Sequence, residues 1–114
     1  MIRRSDELKK VDATMFGGPG ELHAKVLLAA NEFCDKGRLF NFCTLHPGEA
    51  IGTHPHNNEF EVYYILSGEG TYNDNGTEQK VSAGDVTICY SGEKHGMKNS
   101  CDTDLTFMAL ILFS

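Results

Sequence analysis

Short runs of β-branched, aromatic and aliphatic residues recur along most of this chain, and each is closed by a cluster of glycine, asparagine, aspartate or serine. The pattern predicts strands near His23–Leu28, Leu39–Leu45, Ala50–His56, Phe60–Leu66, Gly70–Asn73, Thr77–Val81, Asp85–Tyr90, Gly96–Asn99 and Asp104–Phe113. Asn73-Asp74-Asn75-Gly76 reads as a hairpin turn, because both Asn and Gly accept positive φ. Ser82-Ala83-Gly84-Asp85 and Ser91-Gly92 supply further turns. Alternation assigns faces within the fourth run: if Glu61 points inward, so do Tyr63 and Ile65, while Val62, Tyr64 and Leu66 face the other way. Several short strands at this spacing predict an all-β sandwich or barrel.

The first 22 residues have a different character. Ser5-Asp6-Glu7-Leu8-Lys9 can begin a helical turn, and Gly17-Gly18-Pro19-Gly20 cannot continue one. The chain therefore divides into a leader or edge segment, 1–22, and one β-barrel domain, 23–114. A length of 114 residues suffices to bury a core. The net charge of −6 argues against nucleic acid or an anionic membrane as partner, since both demand a basic face. No apolar run approaches a membrane span and no signal-like apolar stretch opens the chain, so a cytoplasmic location is expected. Four cysteines without CxxC spacing fit a reduced thiol set.

The chemistry concentrates in residues 48–68. His54 and His56 are two apart, so on a strand both imidazoles project from one face. Glu61 lies at an odd offset from His56, which requires an irregular step, and Asn57-Asn58 provides turn chemistry for it. Two imidazoles and a carboxylate suit a divalent ion such as Mn, Fe, Co, Ni, Cu or Zn. A further ligand is expected from another strand, and His95 stands behind the Asp85–Tyr90 run. His23 and His46 are read as surface or hydrogen-bonded histidines.

Residues 48–68 and 84–99 together resemble the paired motifs of the cupin superfamily. Gly48, His54, His56, Glu61 and Gly68 meet the first motif in full. Gly84, Gly92, His95 and Asn99 meet the second, with Tyr90 where proline is usual. The resemblance implies a double-stranded β-helix jelly roll whose metal is held by His54, His56, Glu61 and His95. The ion would be a divalent transition metal, Mn, Fe, Ni or Zn, with positions left for water or a chelating ligand. The leading expectation is a metal-dependent enzyme acting on a small oxygen-rich metabolite: a carboxylate, keto acid or sugar derivative. Isomerase, lyase, decarboxylase and dioxygenase chemistry all occur in the superfamily. The alternative is a non-catalytic module that binds or senses such a ligand through the metal.

Two neighbours of the ligands are candidate catalytic residues: Glu59, with the parity of Glu61, as a general base, and Tyr63 as a hydrogen-bonding partner of the ligand. Oxalate decarboxylases generally carry arginine three residues before the first histidine, and here Ile51 occupies that place. The replacement argues against oxalate decarboxylation and for a ligand with an apolar or neutral remainder. Family members often use the N-terminal segment to pack on a neighbouring barrel, so a homodimer is expected.

Overall fold

The computed structural model describes all residues, Met1–Ser114. Each predicted strand forms, with ends moved by a residue or two: β2 (Leu22–Leu28), β3 (Gly37–Leu45), β4 (Ala50–Pro55), β5 (Glu59–Ser67), β6 (Glu69–Asp74), β7 (Thr77–Ser82), β8 (Val86–Cys89), β9 (Lys94–Lys98) and β10 (Leu105–Phe113). One more strand, β1 (Lys9–Ala13), arises where no apolar pattern announced it. Its residues pair antiparallel with β2, from Lys9 opposite Val26 to Ala13 opposite Leu22, and so cover an edge that β2 would otherwise present. The leader also holds a short 3-10 turn at Ser5–Glu7.

The strands form two antiparallel sheets, β1-β2-β3-β10-β5-β8 and β4-β9-β6-β7, that make up the jelly roll. The β6–β7 hairpin closes through Asn75 (φ 52°) and Gly76 (φ 99°), both in the left-handed region that a two-residue hairpin turn requires. Inward-facing positions follow the predicted parity on β5. Glu61, Tyr63 and Ile65 are buried, whereas Tyr64 and Leu66 are exposed.

Along the strands these inward positions change character. At one end of the barrel Leu45, Ile65, Met97, Leu105 and Phe107 pack between the sheets with essentially no exposure. At the other end the same faces present Glu61 from β5, His95 from β9 and His54 from β4. The β4–β9 register makes this possible. Ile51 is opposite Met97 and His54 opposite His95, so β4 takes one residue more than its partner. That bulge keeps both Ile51 and His54 pointing inward despite their odd separation.

The leader returns along the bulge. The Gly52 and Gly18 amides both donate to the Met15 carbonyl, and the Ala50 amide donates to the Pro19 carbonyl. A Cβ on Gly52 would lie 2.0 Å from the Phe16 carbonyl oxygen, and one on Gly18 2.2 Å from that of Ala50. Backbone approach this close admits only glycine. No helix is long and apolar enough to cross a membrane.

Leu105 is fully buried in the apolar half, away from the ligating side chains. Leu105→Ala should therefore cost about 2–5 kcal/mol of folding stability, read as a lower urea midpoint with an unchanged m-value.

Candidate metal centre

His54, His56, Glu61 and His95 come together from β4, the β4–β5 loop, β5 and β9, and one ligand atom of each lies within 4.8 Å of the others. All four are at most 5% exposed. Asn58, at φ 60°, makes the irregular step that turns Glu61 toward the histidines. Glu61 Oε1 is 2.9 Å from His95 Nε2, 3.0 Å from His56 Nε2 and 3.8 Å from His54 Nε2, and the last two histidine nitrogens of the trio, on His56 and His95, are 3.1 Å apart.

The far sides of the imidazoles determine what those inner atoms can do. His54 Nδ1 donates to the Gly52 carbonyl at 2.8 Å, and His56 Nδ1 donates to Glu59 Oε2 at 2.6 Å. Neither acceptor can donate in return, so in the neutral ring each Nε2 is a bare lone pair. The Tyr72 hydroxyl oxygen lies 2.7 Å from His95 Nδ1 and can accept a hydrogen bond from it, which places His95 in the same tautomer. Three nitrogen lone pairs and a carboxylate thus aim at one buried point. This is the donor set of a divalent transition ion, and each imidazole has an outer partner of the kind that orients metal-binding histidines. The residues fit the metal that the sequence motifs imply.

Electrostatics agrees with that arrangement. Burial works against the Glu61 carboxylate, yet when the inner nitrogens of His54, His56 and His95 carry protons, hydrogen bonds from them hold it well below the usual carboxylate range, so positive charge at this point is what the carboxylate favours. The Glu61 hydrogen bond raises the His56 imidazole, against burial, while burial lowers that of His95.

Residues 41–111 match the family described as the cupin domain. The chain belongs to the cupin family. This cupin is 42% identical to the oxalate-binding protein of Thermotoga maritima over 112 residues, covering 98% of this chain and 93% of that one. It superimposes on the crystal structure of a predicted oxalate decarboxylase from the same organism with a TM-score of 0.94, at 43% identity and full coverage of both chains. It also shares its fold with a sugar phosphate isomerase from Silicibacter pomeroyi, at a TM-score of 0.80 and 17% identity over all of this chain and 76% of that one.

The remaining motif residues have structural posts. Asn99, fully buried, donates to the Leu45 and Thr103 carbonyls and accepts from the Cys101 amide, pinning the β9–β10 loop. Tyr90 lies outside the barrel, 58% exposed, with its ring 5.9 Å from that of Phe60. Ile51 forms apolar wall beside the histidines, as its sequence position suggested.

Glu59 and Tyr63 occupy more constrained positions than a free base and a free ligand partner. Both Glu59 oxygens take 2.7 Å hydrogen bonds from Arg38, and Oε2 also receives His56. The Arg38 hydrogen bond is the main reason the Glu59 carboxyl stays below its usual range, with burial opposing and His56 assisting. Tyr63 is buried and stacks on His95, with ring centres 5.0 Å apart and planes 18° from parallel. Burial pushes its phenol far up, so it remains neutral.

Beside His54, His56 and Glu61 opens a cavity of about 80 Å³, several times the 10–15 Å³ or so that one water needs. Residues that sequence reasoning passed over line or support it: Phe16, Arg38 and Asn41 in the wall, and Tyr72 behind His95. Phe16 stacks flat on His54 at 3.9 Å and 10°, from a left-handed backbone conformation (φ 53°) that is uncommon for a bulky residue.

His23 and His46 stand apart, hydrogen-bonded as expected. His23 bridges Asp12 on β1 at 2.7 Å and Glu49 in the β3–β4 loop at 3.0 Å, while His46 bonds Asp104 at 2.8 Å. The Asp12 hydrogen bond, aided by Glu49 and opposed by burial, raises the His23 imidazole above its ordinary value. A raised folded-state value means that the contribution is complete below the ordinary value near 6.5 and is lost as pH climbs through the raised one. Wild-type protein should therefore lose more urea resistance between pH 6 and pH 8.5 than His23→Gln does. Equal losses would show that the bridge carries no stability.

Proposed function

We propose that this cupin holds one divalent transition metal on His54, His56, Glu61 and His95 and uses it to bind a small, oxygen-rich carboxylate. The reading rests on one observation: four acceptor atoms converge within 4.8 Å in a buried site whose imidazoles are each tied down from behind. A divalent ion held by His54, His56, Glu61 and His95 would have room for oxygens of a chelating acid and would polarise them as a Lewis acid. Manganese is the first ion to test, given the N/O donor set.

Oxalate is the first ligand to test, because the 42% identical Thermotoga maritima protein is named for binding it. Ile51 is one wall position among several. Arg38 lines the same cavity, and with a divalent ion its charge outweighs the carboxylates of Glu59 and Glu61. A loaded site that is net positive favours an anionic ligand. Within this reading Glu59 orients His56, since Arg38 and His56 already occupy its oxygens, and Tyr63 props His95. No uncommitted proton acceptor stands at the site, which favours ligand holding over turnover. Turnover is the second reading, supported by the mostly apolar cavity beside the ion, where a bound acid is shielded from water.

Purified protein should carry about one divalent ion per chain by elemental analysis, removable by chelator with the β-sheet circular dichroism retained. His54→Ala and His95→Ala should abolish stoichiometric loading. Glu59→Ala should weaken metal affinity by about 10- to 100-fold. Absence of metal after reloading with every first-row ion would refute the proposal. Incubating Mn-loaded protein with oxalate and assaying for carbon dioxide and formate separates holding from decarboxylation.

The partner of the barrel is a second copy. The leader strand pairs within its own sheet, so support comes from the outer face instead. Tyr64 and Leu66 on β5 and Val86 and Ile88 on β8, with Tyr90 just beyond, stand exposed on adjoining strands. An apolar patch at a sheet edge is well suited to an isologous two-fold contact. The four free thiols fit a reducing compartment, the cytoplasm. Light scattering should give twice the chain mass at micromolar concentration, and Ile88→Glu should halve it while leaving metal loading intact.

A further inference from the structure

We infer that Asn41 is the specificity-determining residue of the cavity: its side-chain amide reads an uncharged polar group on the part of the ligand that points away from the metal. This rests on the metal-and-carboxylate reading above and names the ligand class more narrowly.

Asn41 is on β3 between Leu39 and Cys43, and all three line the cavity. Phe42, of the opposite parity, faces outward, where Lys25 lies over its ring. Asparagine is depleted in strands, and here one stands half-buried on the inward face of a barrel strand. Apart from the Tyr63 hydroxyl, the other hydrogen-bonding side chains of the wall are bound. Arg38 is on Glu59, and the three histidines and Glu61 are engaged with one another and with their outer partners. The Asn41 amide makes no side-chain hydrogen bond within the protein, and a leucine there would serve packing better.

Sheet register places Asn41 one inward step from the row of Leu39, Ile111 and Glu61. Asn41 is opposite Ala109 on β10, and Ala109 is opposite Tyr63 on β5, the ring that stacks on His95. Two strand spacings separate Asn41 from Tyr63, roughly 10 Å at ~4.8 Å each. Ala109 sits between them, flanked along β10 by Phe107 and Ile111, and is the small residue in that row. Its missing bulk leaves a trough from the ligating face to Asn41. A chelating acid of a few heavy atoms spans it, with its carboxylate and neighbouring oxygen at the metal and its far end at the amide. The matching ligand is a 2-oxo or 2-hydroxy acid bearing a hydroxyl or similar neutral polar group one carbon beyond the chelate.

Pyruvate and 3-hydroxypyruvate test this, since they share a chelating head and differ by one distal hydroxyl. Calorimetric titration of Mn-loaded wild type should show 3-hydroxypyruvate binding about three- to tenfold tighter, the range expected of one neutral hydrogen bond. Asn41→Leu should erase that preference, keep pyruvate affinity within about twofold and leave metal stoichiometry and thermal stability no lower than wild type. Ala109→Val should fill the trough and weaken both acids at least tenfold with metal loading intact. Retention of the preference in Asn41→Leu, or a marked loss of stability showing a structural amide, would overturn the assignment. So would unchanged affinities in Ala109→Val. If wild type takes up metal but binds neither acid nor oxalate, the carboxylate reading falls together with this one.

Discussion

Four acceptor groups aimed at a single buried point is an arrangement that a protein interior resists. Lone pairs and a carboxylate repel one another, and removal from water makes each of them costlier. Much of the local structure around His54, His56, Glu61 and His95 reads as the means of enforcing that convergence. The β4 bulge keeps His54 inward, Asn58 turns the loop so that Glu61 faces back, and the Gly52 carbonyl, Glu59 and Tyr72 fix the three imidazoles from outside. Arg38 in turn fixes Glu59. A cation at the centre converts the repulsion into coordination.

The same strands separate stability from chemistry by position along their length. On β5, Ile65 belongs to the apolar core and Glu61, two inward places away, belongs to the site, with Tyr63 between them touching both. On β9 the succession is Met97 and then His95. The apolar half is closed by Leu45, Ile65, Leu105 and Phe107 without help from the ligating residues. That burial is available with or without an ion and favours folding by itself, unlike a zinc finger, where metal binding supplies the folding free energy.

What could be read in the sequence was what local spacing encodes. The period-two patterns and turn residues gave the nine strands of the barrel, and the HxH pair, Glu61 and His95 were visible as one ligand set because the two motifs are short and contiguous. β1 escaped because Lys9–Ala13 is mostly polar and exposed, and its pairing with β2 is its reason to be extended. Arg38 and Asn41 escaped for another reason. β3 is neighbour to β10, not to β4, and nothing near residue 40 announces that a strand more than 60 residues later will carry it beside β5 and its ligand Glu61. Tyr72 was assigned to a strand, but its contact with His95 depends on β6 pairing with β9, again a long-range matter. Phe16 lay in a glycine-rich leader whose composition hides its contact with His54.

The two sides of the site are therefore built by different means. The metal side is tied to backbone and to buried partners, so its geometry tolerates little change. The ligand side is a wall of separate side chains: Phe16 from the leader, Asn41 from β3, Ile51 from β4 and Ala109 from β10. Substitution at any of these can reshape the cavity without moving a metal ligand. Under the proposed metal-binding function, the fold fixes where an ion would sit, and the wall residues would choose what that ion meets.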